Sequence, residues 1–488
     1  MLRAAVAAES AGIPSVSIVC EGFEGQASAT GRGHGFDDMA LAVTVGHVDA
    51  QSAEVMIDNF LTHTVDLVVA GLIGGETTLA DTDHGAAGEP AALDVVARGT
   101  LDEINQLFLK RGWSDGLPII PPTRERVEAY LAVTGHDPWK VLGRAVSSGR
   151  DLTVWSIAVN AVMTGCDPAH LPVLLAAAEI LVDPRYGAEH SGNTTGADAL
   201  MILNGPAASE LGFNSGPGAM REGAHANTSV GRWLRLYLRN VFDFTADQHD
   251  KATFGNSTRV VLTEDHDTLV DIGWEPLCAQ IDTGLGIDTN ALTMARFNSG
   301  AIIGSVFGST PDEITPYLGN GLARVSGWDL THVHGLGHDQ YQPLLVLSPI
   351  LARTYATAGW NKADVQRALF EHARIPAALF ERLIGEWSNL TAGRPRLIDL
   401  VADGHLPDVF AASDDPNRLV PIVTCPERIM IAVAGDPNRT NAYTLANDGP
   451  HGWWTTKAID LDPSLDLVCA VDLSGSGGSQ RPPTQTAS

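Results

Sequence analysis

Cysteine is scarce in this chain, and none of it comes in close pairs. Cys20, Cys166, Cys278, Cys425 and Cys469 are the five, an odd number with no CxxC spacing. That argues against zinc knuckles and a disulfide framework and for reduced thiols in a cytoplasm. Positive charge is short as well: 31 Lys and Arg stand against 58 Asp and Glu, a net charge of −27. The balance argues against nucleic acid and anionic membranes as partners. Long apolar runs are missing too, since none approaches the ~18 residues of a membrane span. The opening residues Met1 to Val6 run into Glu9 and are too weakly apolar for a signal peptide.

What is present suits a globular protein: 44% hydrophobic and 18% charged residues. With 488 residues, two or three domains are expected. The order of elements predicts an α/β protein: a truncated Rossmann-like N-terminal domain plus a larger α/β (α+β) C-terminal domain. Residues 1–95 read as the first domain. Residues 96–123 read as a linker helix and an extended arm, 124–470 as the larger domain, and 471–488 as a disordered tail. In the first domain an Ala-rich helix over 2–10 feeds a strand, Ser15 to Cys20. A second strand is expected at 40–45, a helix at 51–61 and an apolar strand at 65–72. Residues 73–90, rich in Gly, Thr and Asp, read as a loop.

The stretch from Ala199 to Phe244 organises the larger domain. An apolar strand, Ala199 to Leu203, stops at Asn204-Gly205-Pro206, and a Gly- and Asn-rich loop with Asn214 and Ser215 follows. Asn227-Thr228-Ser229 is read as the cap of a helix running to about Asn240. Arg232, Arg235 and Arg239 share one of its faces. Loop amides and a helix start suit a carboxylate or phosphate, with Arg232 meeting the anion. The alternative is a plain connection whose arginines pair with protein carboxylates. Upstream, Val154–Thr164 and Ala169–Val182 read as a buried helix pair, the second started by Asp167-Pro168. The polar run Glu189 to Thr195 reads as a site wall or a turn.

A second cluster is His332-Val333-His334-Gly335-Leu336-Gly337-His338-Asp339. As a strand it would point His332 and His334 to one side, with His338 returning across the glycines. Three imidazoles and Asp339 could bind zinc, iron or manganese, with Glu189 or Asp339 as base. A polar loop without metal is the other reading. The pattern of strand, cap and helix recurs at Pro343 to Leu347 and Ser348-Pro349. A last strand over 428–434 ends in Gly435-Asp436-Pro437-Asn438-Arg439, where Asp436 and Arg439 add an acid and a base. The expectation is that the Asn-Gly turn, the imidazoles and this bend face one shared hollow.

Ala11-Gly12-Ile13-Pro14-Ser15-Val16, followed by Val19-Cys20-Glu21-Gly22-Phe23-Glu24, resembles the UGSC family, distantly like the glycine and proline reductase selenoprotein subunits. The segment 111–123, RGWSDGLPIIPPT, and the domain after it resemble the long C-terminal portion found with UGSC domains. The resemblance implies thiol- or selenol-type redox chemistry on a small organic substrate. It also places a Sec/Cys-Gly-Ser-Cys segment upstream of the first helix, whereas this sequence opens inside that helix. The expectation is therefore either an upstream start or a lost motif. Cys20 is the N-terminal candidate thiol, but the resemblance does not assign it the motif's role.

Three functions remain open from sequence. The first is a thiol- or redox-type enzyme for a small anionic substrate, held by Asn204, Asn214, Ser215, Arg232, Asp436 and Arg439. The second is a metal-dependent hydrolase or lyase using His332, His334 and His338. The third is a non-catalytic substrate-binding subunit serving a partner redox protein. Homo-oligomers are compatible with all three.

Overall fold

Helix starts follow local signals. The hydroxyls of Thr100 and Thr123 accept from the amides of Glu103 and Arg126, opening helices Leu101–Lys110 and Arg124–Leu131. Asp167 caps the turn begun by Pro168, which leads into Leu171–Leu181. Each cap satisfies an amide that the helix itself leaves without a partner. The computed structural model describes residues 2–47, 51–74, 78–79, 91–132, 134–246, 249–255, 260–334, 338–388, 394–451 and 453–461. Most of the loop expected over 73–90, Cys469 and the expected tail lie outside these residues.

The N-terminal lobe pairs β1 (Ser17–Cys20) and β2 (Leu41–Thr44) in parallel. Helices α1 (Leu2–Ser10) and α2 (Glu24–Gly33) accompany them. The predicted strand over 65–72 is instead part of one helical run, Ala53–Gly74, that continues through a wider turn at Phe60–Thr64. A short apolar run without alternation fits either period, and here helix prevails. Among the described residues this is the one helix long and apolar enough to cross a membrane. Gly71 sits against Val16, where a Cβ would lie 2.7 Å from the valine methyl.

The larger domain is built on one mixed seven-stranded sheet. Its strands are β3 (Asp198–Asn204), β4 (Val261–Thr263), β5 (Ala291–Ile303), β6 (Leu344–Leu347), β7 (Met430–Val433), β8 (Ala442–Asn447) and β9 (Thr455–Ala458). The order is β7-β6-β8-β5-β3-β4, with β9 also on β5. Residue alternation divides the sheet's faces. Leu200, Ile202, Phe297, Leu344, Val346 and Met430 fill one face. Met201, Leu203 and Met294 pack outward on helices Val154–Thr164, Leu171–Leu181 and His225–Asn240. Leu345, Leu347 and Ile431 pack outward on a second helical layer. Apart from the far end of β5, where Ile302 is exposed, burial on both faces suits these nearly uncharged strands.

The sheet curls until its ends meet. The Asp265 amide donates to the Val433 carbonyl at 2.7 Å. Buried Glu264 accepts from the Val433 amide at 3.0 Å, from Lys362 at 2.9 Å and from Asn204. Asn204, expected to bind substrate, is thus part of the clip that closes the curl. Removing one partner of such a buried pair costs about 3–5 kcal/mol.

Two similar units meet along β5 and β8. β3 and β4 run parallel, and β5 returns antiparallel to β3. In the same way β6 and β7 run parallel, and β8 returns antiparallel to β6. Thr289-Asn290-Ala291-Leu292-Thr293-Met294-Ala295 leads into β5 and Thr440-Asn441-Ala442-Tyr443-Thr444-Leu445-Ala446 into β8, sharing five of seven residues. The second copy is interrupted after β8. Asn447 pairs with Phe297 and Thr455 with Met294, so residues 448–454 stand opposite Ala295 and Arg296 alone. The extra residues bulge out of the second copy, and the candidate site is built there.

Candidate metal centre

The bulge begins with Asp448, whose amide donates to the Arg296 carbonyl at 2.9 Å. A short turn, Gly449–His451, follows. Gly449 has φ +51°, and a Cβ on it would lie 2.4 Å from the His332 ring. Only glycine fits that backbone and that approach. His332 ends a tight helical turn, Trp328–His332, and the Trp328 ring meets it edge-on at 5.5 Å. The strand predicted for His332 and His334 is therefore replaced by a turn, so their side chains diverge. Ligand atoms of His332, Asp448 and His451 all lie within 4.8 Å of one another. Among the described residues this is the one such group.

A shell of polar groups fixes the carboxylate. Asn193 donates to Asp448 Oδ2 and Asn298 to Oδ1 at 3.0 Å. The same Asn298 amide donates to Asp329 Oδ1 at 2.7 Å. Burial pushes the Asp448 carboxyl up to about 6, against hydrogen bonds and the charge of Arg296. Burial also pushes Asp329 up to about 6, and Asp448 adds to the rise. Two buried acids share one amide donor, and the charge of Asp448 makes Asp329 harder to ionise. Arg296, itself fully buried, braces the site. Its Nη2 donates to the carbonyls of Tyr186 and Gly187, both at 2.7 Å, and its Nε to that of His451. His451 reaches the outside, with its side chain 30% exposed and the His190 ring 4.7 Å away.

Two imidazoles and one carboxylate suit zinc, iron or manganese and leave coordination positions open. The polar run 189–195 is brought against this group. Half-buried Glu189 neighbours His190, and Asn193 holds Asp448.

The other residues singled out from sequence go elsewhere. His334 turns toward His405, at 6.5 Å between rings; burial first, then His405 and His338, lowers its pKa. His338 is exposed. Asp339 pairs with Arg428 and accepts from Thr424, tying its turn to the start of β7. Arg232 was expected to meet an anion. Instead it grips Asp115, at 2.8 and 2.9 Å, and the Pro118 carbonyl, pinning the extended arm. Asn227 does not cap its helix but lies inside it, donating to the carbonyls of Asn214 and Val261. Asn214 accepts from the Gly216 amide within its own turn, and the Ser215 carbonyl accepts from the Gly435 amide at 2.7 Å. Asp436 accepts from the Asn438 amide, and Arg439 stands 4.0 Å from it in an exposed pair.

The expected shared hollow is thus divided. The Ser215 turn meets the Gly435 bend, but that bend feeds the start of β8, whereas Asp448 follows its end. At ~3.3 Å per residue the two lie roughly 20 Å apart. Asp448 and His451 escaped sequence reading because only strand pairing brings them to His332. The repeated Thr-Asn-Ala-x-Thr-x-Ala segment was the available signal.

Cys20 closes β1 in the N-terminal lobe, half-buried. A family model described as UGSC family matches residues 1–73. Residues 1–73 are a UGSC-like domain. The match covers the parallel strand pair and the helices around it, and the group of His332, Asp448 and His451 lies outside it. No curated protein and no solved structure matches the chain. Alongside the UGSC-like domain the thiols are unevenly disposed. Burial pushes Cys166 and Cys278 up to about 12, and burial with Glu427 also raises Cys425.

Proposed function

We propose that this chain is a metal-dependent hydrolase or lyase acting on a small organic substrate. The observation that carries the reading is the convergence of His332, Asp448 and His451 within 4.8 Å. His332 and His451 offer imidazole nitrogens, and Asp448 offers an anionic oxygen oriented by Asn193 and Asn298. A divalent ion held there supplies Lewis acidity toward a carbonyl and acidifies a bound water. Glu189 and His190, on the outer side, are our candidates for holding the proton released. Arg296 keeps the turn carrying His451 against the segment carrying Glu189. The substrate enters beside His451, the ligand that reaches solvent.

The test is turnover of a panel of small esters, amides and hydroxy acids by the purified chain. Activity should disappear on chelation, return with zinc, manganese or iron, and be lost in His332→Ala. Activity indifferent to chelation overturns the reading. The UGSC-like domain favours a second reading, thiol-type redox chemistry, with Cys20 as the thiol. Turnover that survives His332→Ala but not Cys20→Ser would select it. The unpaired cysteines support a cytoplasmic setting for either.

A further inference from the structure

The UGSC-like domain docks on the larger domain through the end of α2. A Cβ on Gly33 would sit 1.7 Å from the Val146 carbonyl oxygen, so the two backbones touch. Beside this contact lies a cavity of about 520 Å³ between the domains, wide open to solvent rather than enclosed. Gly22, Gly25, Ser28 and Arg32 line it from the loop after β1 and from α2. Asp243, His249 and Lys251 line it from the larger domain. The volume suits a small metabolite.

Charge makes the cavity unusual. The chain carries −27 overall, yet two cations, Arg32 and Lys251, face this space. Asp243, the carboxylate in the lining, is already occupied. His249 Nδ1 stands 3.2 Å from it and Arg150 4.0 Å. No Cβ-sized obstacle stands over Gly22 or Gly25, which leaves that backbone open to a ligand. The Lys251 ammonium lies 5.8 Å from the Phe23 ring centre, spanning the domain boundary.

The floor of the cavity is tied to the metal centre. The Lys251 amide donates to the Gly192 carbonyl at 3.0 Å, and Thr253 to Thr194 at 2.9 Å. Asn193, between those two acceptors, is the residue that holds Asp448.

We infer that the interdomain cavity is a binding site for a small organic anion, a carboxylate or phosphate, gripped by Arg32 and Lys251 across the domain boundary. The site stands independently of any metal at His332. Its ligand cross-links the two domains through cations contributed by each.

The test is calorimetric titration of the full chain with inorganic phosphate and, separately, succinate. Saturable binding of either at one site supports the proposal and selects the class. In Arg32→Gln and Lys251→Gln, affinity should fall at least ~10-fold with the thermal midpoint retained. In the wild-type chain the His249 ring resonances should shift along the same saturation curve. Binding of neither probe, unchanged affinity in both variants, or an unmoved His249 would each overturn it.

Discussion

The backbone of Gly449 lies against the imidazole of His332, with the site of a Cβ 2.4 Å from the ring. This contact joins the bulge between β8 and β9 to the turn preceding β6, and so brings ligands from distant parts of the chain together. Gly449→Ala should push the two apart. We expect a loss of about 1–3 kcal/mol of stability and about 10–100-fold in zinc affinity. Urea melts and a competitive zinc titration check both. Unchanged zinc affinity would show that the contact does not set the site.

Arg296 donates to four acceptors from full burial, so its fork shape matters as well as its charge. Arg296→Lys should cost about 3–5 kcal/mol in a denaturant melt, close to the loss in Arg296→Met. A lysine variant within ~0.5 kcal/mol of wild type would reduce Arg296 to a surface-like role.

The thiols should react in a fixed order. Cys166 and Cys278 are buried and pushed up to about 12, so little thiolate exists at pH 8. Cys20 is reached by solvent. Timed iodoacetamide labelling read by mass spectrometry should modify Cys20 well before either. Early labelling of Cys166 in folded protein would contradict the burial on which this rests.

His249 carries a pH signature. Its hydrogen bond with Asp243 raises its pKa above the ordinary 6.5, against burial. A raised folded-state pKa gives stability that is complete below the unfolded value and lost as pH rises through the folded one. Asp243→Asn should therefore bring the His249 pKa down and flatten that part of the stability profile. Proton NMR titration of the ring checks this, and an unmoved pKa would rule the pairing out.

Much of the fold can be read locally. Thr100, Thr123, Asp167-Pro168 and Asn361 announce their helices because a cap is a contact within three residues. The strands at 198–204, 344–347 and 430–433 stand out as apolar runs between turns. The run 65–72 misleads because its apolar residues do not alternate, and neighbouring helix extends through it. His332 and His334 mislead because Asp329 accepts from the Gly327 amide and the chain turns there instead of extending. The site itself depends on where β8 breaks against β5. Its partners Asp448 and His451 are over 100 residues from His332, and no local pattern encodes that register. The repeat shared by β5 and β8 is the one sequence feature that points to it.

Whether His332, Asp448 and His451 hold a metal is decided by metal analysis of the purified protein. About one equivalent of a divalent transition metal is expected in the wild-type chain and in His334→Ala. That metal should be lost in His332→Ala and Asp448→Asn variants that still fold. A wild-type chain that takes up no stoichiometric metal, or metal lost with His334 and kept without His332, would contradict this assignment.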